Sequence, residues 1–258
     1  MPKPAASAVS PRDAKVLKKA HEVLSSGRYV ARQKVPYFTP MLLKLVMRED
    51  WDLSCGTIST SPQGIMRFQP DFVARQSPKQ LAGLLVHEAM HLMLRHFDRR
   101  GKRDHAEFNI AADRSINPGV LACGLELPTG KDAGCFPKDI RMKDGLTADE
   151  YYREPKDDNG GPKPCAGGAC GGCAGNPIPE EAGDAGDPGA RSPGDMTRAA
   201  KETAEAMRDA AAKNPGAVPG DWARMVGEVL APPQVPWQAK LARAVLCNPR
   251  RCISGSAQ

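Results

Sequence analysis

The stretch that decides the reading is Ser77-Pro78-Lys79-Gln80-Leu81-Ala82-Gly83-Leu84-Leu85-Val86-His87-Glu88-Ala89-Met90-His91-Leu92-Met93-Leu94-Arg95-His96. Ser77 before Pro78 is a helix cap with a first-turn proline, and Gln80 completes a capping box. Leu81, Leu84, Leu85, Met90, Leu92 and Leu94 make this helix apolar on most sides, which predicts burial over much of its length. Arg95, Arg99 and Arg100 gather at its C-terminal end, where the helix dipole favours cations, and Gly101 stops it.

Inside this apolar helix stand His87, Glu88 and His91. Histidines four apart share one helical face, so two imidazoles at this spacing can hold one Zn²⁺. Glu88 lies beside the metal rather than on it, placed as the base for a water whose pKa the zinc lowers. A buried helix that turns two imidazoles and a carboxylate inward needs a partner for them. His21-Glu22 lacks a second histidine and reads as surface. His96 is five residues after His91, about 140° further round a continuous helix, and reads as structural or surface.

The third ligand must come from elsewhere, because Leu94 and Phe97 occupy the positions of an extended motif. From His91 to the helix end at Arg100 is about 13 Å at 1.5 Å per residue. After a short turn to Asp104, a returning antiparallel helix reaches Asp113 in about 12 Å. Asp113 then stands level with His91, and Asn117 with His87. Asp113 is the expected third ligand. Its alternative role is to orient a histidine, in which case Asn109 or Glu107 would coordinate; Glu107 already has a use as a cap partner of Asp104.

Outward from this core, Ser10-Pro11 starts a helix carrying Val16, Leu17, Ala20, Val23 and Leu24, with Gly27 as its stop. A second helix begins at Thr39-Pro40 and uses Met41, Leu42, Leu45 and Val46. Thr57 to Thr60 and Ile65 to Phe68 read as strands joined by the turn Ser61-Pro62-Gln63-Gly64. Thr147 and Glu150 cap a short helix with Tyr151 and Tyr152. We expect residues 1–154 to form the core, 155–195 a Gly/Pro-rich disordered linker, and 196–258 a helical segment packing on the core, with an irregular tail. That segment holds an Ala-rich helix from about Thr197 to Lys213 and two short amphipathic pieces around Trp222 and Trp237.

Composition narrows the function classes. Of 258 residues 41% are hydrophobic and only 5% aromatic, while 25 Gly and 24 Pro crowd into part of the chain. A net charge of +6, from 36 basic and 30 acidic residues, is too mild to argue for a nucleic-acid protein. No run approaches the ~20 apolar residues of a membrane span, and Met1 to Ser10 carries no leader-type apolar run. A soluble, cytoplasmic protein with its eight cysteines mostly reduced is expected. Cys165, Cys170 and Cys173, with Cys135, could hold a second zinc, but the bland reading is thiols in a linker. Arg95, Arg99, Arg100, Lys102 and Arg103 read as a solvated helix end.

Several segments together resemble a known bacterial family. They are Gly64-Ile65-Met66-Arg67-Phe68 with Pro70; Leu85 through His91; Leu94-Arg95-His96; and Phe108 through Asp113 with Ile116-Asn117. Leu125-Glu126-Leu127-Pro128, Glu150-Tyr151-Tyr152, Val218-Pro219-Gly220-Asp221-Trp222 and Val235-Pro236-Trp237 continue the match. The family is the metallopeptidase-type domain that usually precedes a von Willebrand factor A-like domain, here without that domain. The resemblance implies an α+β, zincin-like fold with a small sheet packed on the active-site helix, to which C-terminal helices are added.

The expected activity is a zinc-dependent peptidase with metal ligands His87, His91 and Asp113 and with Glu88 as general base. It would act on a peptide or protein substrate, for which the strand Ile65 to Phe68 offers pairing as an added strand. No oxyanion-stabilising residue is identifiable among Tyr151, Tyr152 and His105. The rival is a non-catalytic scaffold, stabilised by zinc and binding a protein partner.

Overall fold

The computed structural model describes residues 10–130, 133–153 and 184–231. The fold is α+β and mostly helical: α1 (Pro11–Lys34), α2 (Thr39–Leu42), β1 (Val46–Glu49), β2 (Ile58–Thr60), β3 (Ile65–Phe68) and α3 (Pro70–Ala74) come first. They are followed by α4 (Pro78–Met93), α5 (His96–Arg99), α6 (His105–Ala122), α7 (Ala148–Tyr152), α8 (Pro193–Lys213) and α9 (Gly220–Leu230).

Helix α4 is the centre of the molecule. The capping box forms as its sequence requires, with Gln80 N–H donating to Ser77 Oγ at 3.0 Å and Ser77 N–H to Gln80 Oε1 at 2.9 Å. Leu81, Leu85, Val86, Ala89, Met90 and Met93 are all fully buried. The neighbours of α4 are α1, α6, α8 and α2. The sheet enters the same core through Ile58, Met66 and Phe68, so helices rather than strands form most of the packing around α4.

Helix α1 runs past Gly27 to Lys34. Gly27 does not stop it, because the residue serves a contact: a Cβ there would lie 3.0 Å from the side chain of Leu81. The glycine lets α1 approach α4 closely. Val46, expected on the second helix, begins a third strand instead. That strand escapes the sequence because Val46-Met47-Arg48-Glu49 shows no alternation; its pairing with β3 decides it.

The sheet order is β1-β3-β2, with β1 parallel and β2 antiparallel to β3. The β2–β3 hairpin is as expected, closed by Gly64 at φ +76°, which donates its N–H to Ser61 O at 2.9 Å. Because β3 is the middle strand, both its edges are occupied. The strand Ile65 to Phe68 therefore cannot take an extended peptide; the outer strands of the sheet are β1 and β2, and β2 is buried.

On the sheet's outer face, the register partners Arg48 and Arg67 meet two aspartates from one segment. Arg48 donates to Asp187 from Nε at 2.9 Å and Nη2 at 2.7 Å, and Arg67 pairs with buried Asp184. Residues 184–192 are thus docked on the sheet. Of the expected linker, residues 155–183 lie outside the described residues, as does the tail around Trp237. The basic cluster after α4 is solvated only in part: Arg95 and Lys102 are exposed, whereas Arg99 and Arg103 both pair with Asp149 of α7, and Arg103 lies over the rings of Phe108 and Tyr152 at 5.0 and 5.4 Å.

Among the described cysteines, Cys55 and Cys123 form no disulfide and Cys135 is disulfide-bonded. Among these, Cys135 is the exception to the expectation of mostly reduced thiols. It also removes Cys135 as a thiolate ligand; Cys165, Cys170 and Cys173 lie outside the described residues.

Candidate metal centre

Helix α6 returns antiparallel beside α4 and puts Asp113 and Asn117 opposite His91 and His87. Asp104 caps α6 by accepting Glu107 N–H at 2.9 Å. Pro118 does not end the helix, which continues to Ala122. Close approach on the far side of α6 depends on Gly119, where a Cβ would overlap the indole of Trp222.

His87 Nε2 and His91 Nε2 lie 3.0 Å apart, and Asp113 Oδ1 lies 3.5 Å from the first and 3.2 Å from the second. The side chains of His87, His91 and Asp113 are almost completely enclosed, and Glu88 is fully buried on the same helix. Each histidine of the group is held from behind. His87 Nδ1 faces Asn117 Oδ1 at 2.8 Å, while Asn117 Nδ2 donates to Cys135 O at 2.9 Å. The amide's orientation is thereby fixed, so Oδ1 is the acceptor and His87 carries its proton on Nδ1. His91 Nδ1 faces His96 Nδ1 at 3.1 Å.

These tautomers test the fit of a cation. With Nδ1 protonated, a neutral His87 turns a bare Nε2 toward another imidazole nitrogen and a carboxylate oxygen. Three electron-rich atoms converging on one buried point repel one another unless a metal ion, or a proton carried on His91 Nε2, lies between them. Their separations suit the metal ion. Ligands about 2.0–2.1 Å from a tetrahedral ion stand about 3.3 Å from one another, close to the observed 3.0, 3.2 and 3.5 Å. His87, His91 and Asp113 therefore form a group able to hold a metal ion.

His96 is buried, not at the surface. The continuous-helix argument fails because α4 ends at Met93 and Arg95 takes left-handed angles, φ 54° and ψ 43°. No sequence signal marks that break, since arginine has no preference for this conformation. Asn117 was legible only as standing level with His87; its spacing of four from Asp113 was the available clue to a role.

Asn109 is buried on α6, and Glu107 stands in that helix's first turn, capped by Asp104. Tyr151 donates to Lys143 O at 2.8 Å, and burial pushes its hydroxyl up to about 12. Tyr152 OH accepts Asp104 N–H at 3.4 Å, and His105 opens α6 two turns before Asp113. Arg114, beside Asp113, is buried; burial lowers its pKa, and Asp139 and Asp113 act against that shift.

A buried His–His–Asp group on two antiparallel helices, one helix carrying an HExxH sequence, defines the class: a domain able to bind a metal ion. The model of the family described as "Putative metallopeptidase domain" matches residues 21–252, and the chain belongs to that family. An uncharacterized protein of Thermotoga maritima is 27% identical over 138 residues, a match covering 51% of this chain. The chain spans about a third of that relative, 32% of its length. No solved structure matches. Among the described residues, no helix is long and apolar enough to cross a membrane.

Proposed function

We propose that the protein is a zinc-dependent metallopeptidase, with His87, His91 and Asp113 as protein ligands and Glu88 as general base. The observation that carries the reading is the convergence of two histidine Nε2 atoms and one carboxylate oxygen within 3.5 Å on an HExxH helix. Nitrogen and oxygen donors suit zinc, and three protein ligands leave a fourth position for water or substrate. Zinc bound there supplies Lewis-acid activation of a water molecule and of a peptide carbonyl. Glu88 takes the proton from the attacking water and returns it to the departing amine. Asn117 and His96 hold the imidazoles in place. An extended peptide would pair with the sheet at β1, the less buried of its two outer strands. We read the fold as zincin-like on the strength of the HExxH helix and its accompanying small sheet. The compartment we propose is the cytoplasm, against which the Cys135 disulfide is the contrary observation.

One observation favours a second reading. His87, His91 and Asp113 are 4%, 0% and 1% exposed and Glu88 is 0% exposed, which suits a metal that ties α4 to α6 in a non-catalytic scaffold. The variant Glu88→Gln separates the two. A peptidase keeps about one zinc per chain by elemental mass spectrometry and loses turnover on a peptide library by about 10²–10⁴-fold. Unchanged turnover removes Glu88 as base. A wild-type chain that holds zinc and cleaves nothing leaves the scaffold.

A further inference from the structure

The two histidines of the metal group are not supported alike. His87 leans on an amide from the neighbouring helix, whereas His91 leans on a third histidine delivered by a break in its own helix. Leu94 N–H still bonds Met90 O at 2.9 Å, but Arg95 N–H bonds Leu92 O at 3.1 Å, and the chain turns through Arg95 in the left-handed region. Helix α5 then starts with His96 folded back against His91. Their rings lie 5.0 Å apart at 80° and their Nδ1 atoms 3.1 Å apart. On its other side, His96 meets Phe108 edge-on at 6.1 Å and 90°, and it is 1% exposed.

We infer that His96 is the positioning residue of His91: its bare Nδ1 accepts the His91 Nδ1–H and so presents His91 Nε2 to a divalent cation. The inference rests on the metal reading above. An imidazole that gives Nε2 to a metal carries its proton on Nδ1, and that N–H needs an acceptor in a buried site. His96 can accept only in the tautomer that bears its proton on Nε2. A residue kept for packing alone would need the contact with Phe108 but not a nitrogen facing a nitrogen. Nor would packing explain a non-glycine residue held in a disfavoured conformation immediately before it. The two ligand imidazoles are then fixed from different elements, His87 from α6 and His91 from α5. Their common aim depends on how α4 ends.

The test is the zinc dissociation constant of the full chain, by competition with a chromophoric chelator, for wild type, His96→Phe and His96→Asn. Phenylalanine keeps a ring against Phe108 and removes the acceptor; asparagine restores an acceptor near the position of Nδ1. We expect the first to bind about 10–100-fold more weakly and the second to recover to within about threefold of wild type. Wild-type affinity in the phenylalanine variant, or equal losses in both variants, overturns the inference. Imidazole ¹⁵N spectra of the zinc-loaded wild type decide the matter even if a variant fails to fold. His96 protonated on Nε2 supports the inference, and His96 protonated on Nδ1 overturns it. A wild-type chain that takes up no zinc overturns the metal reading itself, a result distinct from all of these.

Discussion

Asn117→Ala separates the demands of the fold from those of the metal. The side chain is 1% exposed and makes two bonds, accepting from His87 Nδ1 at 2.8 Å and donating to Cys135 O at 2.9 Å. Both partners are buried, so truncation strands one donor and one acceptor. Each stranded group costs about 1–3 kcal/mol, and alanine's better helix propensity returns about 0.5 kcal/mol. The metal-free protein should lose about 1.5–5.5 kcal/mol in urea unfolding. Zinc affinity should fall by a further factor of about 10–100, because His87 is no longer held in its Nδ1–H tautomer. Asn117→Asp is the informative companion. It keeps the acceptor for His87 but sets a carboxylate oxygen against the Cys135 carbonyl, so it should destabilise the metal-free fold while retaining more zinc affinity than alanine. Metal-free stability within about 0.5 kcal/mol of wild type, combined with unchanged zinc affinity, would refute the orientation argument.

Two further outcomes follow from the same geometry. Gly119→Ala places a Cβ 2.1 Å from Trp222 Nε1, and Trp222 is fully buried against Phe38 with ring centroids 5.6 Å apart. Despite alanine's helix propensity, urea unfolding should show a loss of about 2–3 kcal/mol; equal or greater stability would sink the packing argument. The Arg48 hydrogen bond and the Gly189 N–H lower Asp187 to about 2. Burial pushes Asp149 up, but hydrogen bonds from Arg103 and Arg99 bring it below the usual range. Carboxylates with lowered folded-state values stabilise the fold above their unfolded value near ~3.9 and lose that effect as pH falls through the folded value. The thermal midpoint should therefore drop from about pH 4 towards pH 2, less steeply in Asp187→Asn; identical slopes in the two proteins would contradict the assignment.

The sequence by itself determined the helix of the His87–His91 pair and the direction from which Asp113 approaches it. Spacing of four puts His87 and His91 on one face, a capping box starts α4, and antiparallel counting brings Asp113 level with His91. These are local or nearly local facts, governed by helical rise and by hydrogen bonds three or four residues apart. The tertiary structure alone decided what a distant partner fixes. Val46–Glu49 is a strand because β3 lies beside it, and β3 is central because β1 took its second edge. Gly27 sits inside α1 because Leu81 crosses there, although alone it resembles a stop. His96 reaches His91 because the chain turns through a left-handed Arg95 that no propensity would place, and Phe108 of α6 meets the His96 ring edge-on. In each case the deciding energy comes from a contact between residues far apart in the chain, and periodicity records only the near ones.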